Sequence, residues 1–221
     1  MPGRKIPIVT QEIYHIFNRG INGQTIFEGK RSYDRFFETM VYYRNANPFI
    51  SFSRHLSLPK DKKIPIPEKD HMVGIIAFCL MPNHFHLLLK QLSDNGIAKY
   101  TGNLSNSYTK YFNKKNKRLG PIFQGKFKSV RVEDNEQLLH VIRYIHLNPY
   151  TSYVIKNIDE IFSYPYSSLC LYLDKKDKLL TNKKQILDQF RTKESFKEFI
   201  RNQADYQRNL QYIRHLALES V

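Results

Sequence analysis

Apolar and polar positions alternate through "EIYHIFNRG" at residues 12–20, which predicts a first strand closing at Gly20. The period then changes. Phe36, Met40 and Tyr43 recur at helical spacing with Phe37 and Val41 beside them, so a helix is predicted over residues 31–45. From about 53 to 72 the chain turns to Pro and Lys and reads as a surface insertion with no core of its own. "MVGIIAFCL" and "HFHLLLK" follow as two strands, joined through "MPN", whose Pro82-Asn83 pair is turn chemistry. "SDNGIAKYTGNLSNSYTKYFNKKN" predicts a helix with polar interruptions, and "GPIFQGKFKSVRV" (120–132) is extended. A second clear helix starts at Asp134, whose cap is completed by Gln137 as in a capping box. Leu138, Val141, Ile142 and Ile145 form its core stripe, and Pro149 is expected to stop it. Beyond 150 the pattern is mostly helical, with a long stretch from Glu194 to Leu218. This order predicts an α+β domain over residues 1–150, with helices on one face of a mainly antiparallel sheet, and a mostly helical extension over 151–221.

Composition adds a charge to this outline. The 221 residues carry 35 Lys and Arg against 20 Asp and Glu, a net charge of +15. Such an excess favours a polyanionic partner. No apolar run approaches the ~20 residues of a spanning helix, and "MPGRKIPIVT" lacks the apolar stretch of a signal peptide. Two cysteines are too few for a disulfide framework. A cytoplasmic protein away from the membrane is expected, nucleoid-associated when its partner is DNA.

The candidate chemistry begins with "MPNHFHLLLK" at 81–90. On a strand, His84 and His86 leave the same face while Phe85 and Leu87 point the other way. Such a pair can hold a metal, or it can be two half-exposed histidines on a polar face. On the 134–148 helix, His140, Tyr144 and Asn148 follow at i, i+4 and i+8 along one flank of the buried stripe, a position suited to the rim of a site. Tyr108 and Tyr111 on the preceding helix compete with Tyr144 for any tyrosine chemistry. His15, His55, His71 and His215 show no partner pattern and are read as core or surface; His146 is assigned to packing or a DNA contact. From Lys110 to Arg131 the chain carries eight cations and no acid: Lys110, Lys114, Lys115, Lys117, Arg118, Lys126, Lys128 and Arg131. Tyr111, Phe112, Phe123 and Phe127 are interleaved with them. Cations for a phosphate track and aromatic faces for unpaired bases are what single-strand binding uses. About half of these aromatics are expected in the core. Gly120 and Gly125 are expected at tight bends or close backbone approaches.

"MPNHFHLLLK", "GPIFQGKFKS" and "RYIHLNP", in that order, resemble the three-part signature of the single-tyrosine transposases of the HUH superfamily. The likeness is to the REP-associated tyrosine transposases, relatives of insertion-sequence transposases, and it spans roughly residues 12–150. It implies a ferredoxin-like (RRM-like) fold with the histidine pair on a central strand. It also implies a divalent metal, Mg²⁺ or Mn²⁺, on His84 and His86, with Asn148 at the place of a third ligand. Tyr144 would attack single-stranded or hairpin DNA, leaving a 5′-phosphotyrosine and a free 3′-OH. Gln124 falls in the second motif and joins the cations as a DNA-contact candidate.

Physical chemistry is coherent with these roles. Phenols titrate near ~10 and the phosphodiester is anionic, so attack calls for charge neutralisation. Two imidazoles and an amide oxygen with open positions suit a hard divalent cation, although imidazole also suits zinc. A cupin would want a glutamate soon after His86, where the chain has "LLLKQLSDN", and no Cys-x-x-Cys pair supports structural zinc. The rival to an enzyme is a catalytically silent DNA-binding regulator on the same fold. An RNA-binding domain would want aromatic RNP motifs that are not in the sequence. A homodimer, with its active site in cis or in trans, stays open. So does the role of 151–221: hairpin recognition, core cover or dimer contact.

Overall fold

The computed structural model describes residues 7–45, 50–62, 70–174 and 177–209. In chain order these form β1 (Ile13–Arg19), α1 (Lys30–Tyr42), α2 (Phe52–Ser57), β2 (Val73–Met81), β3 (His84–Gln91), α3 (Gly96–Lys115), β4 (Lys128–Val132) and α4 (Asn135–Thr151). Among the described residues three short helices follow, α5 (Leu169–Leu173), α6 (Lys183–Leu187) and α7 (Lys193–Arg201), and residues 204–209 are helical again. The strands make one antiparallel sheet in the order β2-β3-β1-β4. That is the α+β, ferredoxin-like layout expected, with the histidine strand β3 inside the sheet.

The pleat divides the side chains between two faces. Phe85, Leu87 and Leu89 point to the face covered by α1 and α3, where Phe36 meets Phe85 at 5.2 Å between ring centroids and Tyr108 at 5.1 Å. His84, His86 and Leu88 take the opposite face, together with Phe17 and His15 of β1 in antiparallel register. The helices between strands thus share one face, and α4, which follows β4, crosses the other. Asp134 caps α4 by accepting the Gln137 N–H at 2.7 Å; the Gln137 side chain takes the N–H of Glu133, one residue before the cap.

Four local expectations change. The helix expected to stop at Pro149 runs through it to Thr151. Proline forfeits one i→i−4 bond, and here that loss falls in the last turn. The Pro149 carbonyl accepts the N–H groups of Val154 and Ile155 at 2.9 and 3.1 Å instead, and Ser152 N–H bonds the Asn148 carbonyl at 2.9 Å. The extended piece 120–132 is a strand only from Lys128. Gly120 and Gly125 have φ of +87° and +67° with open space around their Cβ positions, so they serve bends, not close approaches. Third, the insertion is anchored at its start, where Phe52 and His55 are buried against Tyr42; its residues 63–69 lie outside the described residues. Last, the helical stretch expected from Glu194 to Leu218 breaks after Arg201, with Gln203 at φ +66°; positions 210–218 lie outside the described residues.

Residues beyond α4 fold back onto β2, an outer strand of the sheet. Its backbone is met by Tyr166, Ser168 and Thr181: Leu80 N–H to the Tyr166 carbonyl at 2.8 Å, Ser168 N–H to the Phe78 carbonyl at 3.0 Å, and Thr181 N–H to the Ile75 carbonyl at 2.7 Å. With both faces and the free edge covered, all nine residues of β2 are buried. That accounts for an apolar run without alternation.

Candidate active site

β3 and α4 bring the two sequence motifs together. His84 and His86 stand on the sheet face that α4 crosses, and Tyr144 and Asn148 reach down one turn apart from that helix. The Tyr144 ring meets His86 edge-on at 5.5 Å between centroids and keeps 36% of its surface exposed. His86 is only 6% exposed and Asn148 1%. His84, His86, Tyr144 and Asn148 all line a cavity of about 590 Å³, shared with Phe17, Arg19, Asn83, Gln124, Lys128 and the turn after α4.

The hydrogen bonds fix the orientation of His84. Asn83 Nδ2 donates to the Gly23 carbonyl at 3.2 Å, which turns its Oδ1 toward His84 Nδ1 at 2.6 Å. Nδ1 must therefore carry the proton, and Nε2 carries the lone pair. Burial pulls His84 down to about 4 and the Arg19 charge adds to this, against an opposing contact from Asn148, so the ring is neutral at pH 7. Yet Nε2 faces Asn148 Oδ1 at 3.2 Å, an acceptor against an acceptor, while Asn148 Nδ2 is buried with no partner. Ser152 Oγ donates to the same Asn148 oxygen at 3.4 Å, and a cation between that oxygen and His84 Nε2 would satisfy both lone pairs. Adjacent ligand atoms of an octahedral divalent cation lie about 3 Å apart, so this donor set fits a metal. Among the described residues, no group of three His, Cys, Asp or Glu forms a metal cluster; the amide oxygen of Asn148 is the further donor beside the His84 ring.

Sequence-predicted candidates separate around this cavity. Gln124 and Lys128 line it; His140, on an exposed turn of α4, does not. Tyr108, one competitor of Tyr144, is fully buried and gives its hydroxyl proton to the Ile26 carbonyl at 2.6 Å. Tyr111 stays half-buried against the core. Lys110, Lys114 and Lys115 lie along the second half of α3, Lys117 and Arg118 follow it, and Lys126 borders a separate groove beside α3. Lys115 is held by Glu28 and Ser32, and Arg118 by Gln24 and the Pro121 carbonyl. Arg131 leaves β4 on the face opposite Lys128 and pairs with Glu12 at 3.1 Å. Of the interleaved aromatics, Phe112 and Phe123 are core and Tyr111 and Phe127 are half-buried, the half expected.

Two residues of the site were not singled out from the sequence. Arg19 follows His15 and Phe17 at every second position of β1, so strand period alone could have found it. His15 needed the cross-strand register. His146, left between packing and DNA contact, is buried and bonded to Ser168 Oγ at 2.8 Å, which is packing.

The family model described as "Transposase IS200 like" matches residues 62–148, a span that holds His84, His86, Tyr144 and Asn148. The chain resembles the IS200-like transposases. No curated protein matches it in sequence. Among solved structures, a REP-associated tyrosine transposase bound to a REP hairpin is similar, with 13% identity and a TM-score of 0.58 over 79% of this chain and 87% of that one. At that identity the likeness concerns the fold, which is shared with REP-associated tyrosine transposases. No described helix is long and apolar enough to cross a membrane.

Proposed function

We propose that the protein is a metal-dependent single-stranded DNA transesterase of transposase type, acting on DNA that carries a hairpin. The observation that carries this reading is the convergence of Tyr144 with His84, His86 and Asn148 in one open cavity. Tyr144 is the nucleophile: its oxygen bonds to phosphorus as the bond from phosphorus to the 3′ sugar oxygen breaks, the electron pair leaving on that oxygen. The proton that the phenol gives up to solvent is matched by one taken up at the 3′ oxygen. A 5′-phosphotyrosine and a free 3′-OH result. The covalent link keeps the energy of the diester, so a DNA hydroxyl can later reverse the step. His84 Nε2, His86 and Asn148 Oδ1 would hold Mg²⁺ or Mn²⁺, which neutralises phosphate charge and stabilises the charge that develops during attack. Arg19 and Lys128, on the cavity wall, supply fixed positive charge for the backbone on either side of the scissile phosphate. The REP hairpin on the similar structure makes a hairpin-bearing strand the substrate to try first. Such a protein would work in the cytoplasm, where that DNA is.

The test is a covalent adduct formed with a hairpin oligonucleotide and Mn²⁺, its attachment residue mapped by mass spectrometry. Tyr144→Phe should abolish the adduct and leave DNA affinity almost unchanged, because only one exposed oxygen is removed. An adduct that persists in this variant and maps to Tyr111 would sink the assignment.

A further inference from the structure

Across the strand boundary from His86 stands a third imidazole. Phe17 of β1 is paired with His86, and His15 lies one step further along the same face. His15 Nε2 is 2.9 Å from His86 Nδ1, the two rings stacked at 27° with centroids 5.1 Å apart. His15 also meets Tyr144 edge-on at 5.9 Å. At 2.9 Å the two nitrogens are hydrogen-bonded, so a single proton lies between them. It has two possible homes, and they are not equivalent. If it sits on His15, the His86 ring accepts at Nδ1 and carries its own proton on Nε2, where no metal can bind. If it sits on His86 Nδ1, Nε2 keeps its lone pair. His84 next door is already in the second form, its Nδ1 proton taken by Asn83 Oδ1.

We infer that His15 is a positioning residue: its Nε2 accepts the Nδ1 proton of His86 and so leaves His86 Nε2 as a ligand atom. His15 then stands to His86 as Asn83 stands to His84. Each ring of the pair is oriented from behind by an acceptor, and outer partners of this kind fix both tautomer and ring direction of a ligating histidine. The acceptor for His86 is itself an imidazole, so its Nε2 must be unprotonated and its own proton must lie on Nδ1. The choice between the two homes of the proton and its consequence for metal affinity both rest on the function proposed above, which needs a lone pair at His86 Nε2; the 2.9 Å contact itself does not.

Two-bond ¹H–¹⁵N spectra of the metal-free protein, labelled at histidine and recorded near pH 7.5, read the tautomers directly. His86 and His15 are both expected as Nδ1–H. His86 found as Nε2–H would overturn the inference. Mn²⁺ titration gives the second measurement. His15→Phe keeps a buried ring without an acceptor and should weaken Mn²⁺ binding about tenfold to a hundredfold, while His15→Gln, which offers an amide oxygen, should recover part of it. Unchanged Mn²⁺ affinity in a folded His15→Phe protein overturns the inference even if the DNA adduct forms. The expected tautomers with no Mn²⁺ uptake in the wild type would uphold the proton assignment and remove the metal from the proposed function.

Discussion

Asn148 is where local chemistry and site geometry are hardest to separate. An asparagine before a proline commonly ends a helix, and that alone would explain "LNP". The continuation of α4 to Thr151 removes the capping role, since Asn148 lies inside the helix and its carbonyl is bonded by Ser152. What remains is a buried amide whose Nδ2 has no partner and whose oxygen is set against the lone pair of His84. Asn148→Ala should therefore weaken Mn²⁺ binding by about tenfold or more and slow cleavage in parallel, with partial rescue at high Mn²⁺. Asn148→Asp should retain binding, but its negative charge should slow attack on an anionic phosphate. Isothermal titration beside a cleavage assay checks both; a loss confined to melting temperature would return Asn148 to a structural part. The shared face of the histidine pair and the common flank of Tyr144 and Asn148 were legible in the sequence because strand and helix periods act within one element. The roles expected of them came from the resemblance, since spacing alone favoured a helix end for Asn148. His15 was not legible, because its significance arises from the offset between two strands 71 residues apart.

Elements were legible to the extent that their surroundings were ordinary. β1, α1, α3 and the β2–β3 hairpin lie close to where periodicity places them. The piece at 120–127 misled because two glycines at positive φ break an apolar–polar alternation that looks extended. The same stretch shows why a basic run is not a basic surface. β4 sends Lys128 to the cavity side and Arg131 to the other, where Glu12 meets it. Lys128→Ala is thus expected to lower the slope of log K against log salt by about one, and Arg131→Ala to leave it unchanged. Fluorescence anisotropy with a single-stranded oligonucleotide across a salt series distinguishes them. Equal losses in the two variants would mean that DNA reaches both faces of β4.

At the scale of the whole molecule, the fold keeps several imidazoles out of water. Burial lowers His15 and His84 to about 4 and His146 to about 3. The sign follows from which state binds protons. Unfolded histidines take up a proton near 6.5, while folded His15 and His84 do not until about 4 and His146 not until about 3. Stability of the metal-free protein should be full above pH 6.5 and should fall between pH 6.5 and about 4, by up to ~1.4 kcal/mol per pH unit for each such group. Urea midpoints at pH 7.5 and 5.0 test this; equal midpoints would mean that these rings are hydrated in solution. The fold-back of residues 164–168 and Thr181 onto β2 has a bearing on how the chain is made. During synthesis β2 leaves the ribosome some 90 residues before the segment that bonds to it, the sequence separation of the Ser168 contacts with Phe78. Until that segment arrives, a nine-residue apolar strand offers an open edge, the kind of surface that nascent chains lose to aggregation. A chain ended at residue 150, with every residue of the cavity's histidine–tyrosine cluster present, should accumulate in the insoluble fraction, and supplying residues 151–221 as a separate polypeptide during expression should bring part of it back into solution.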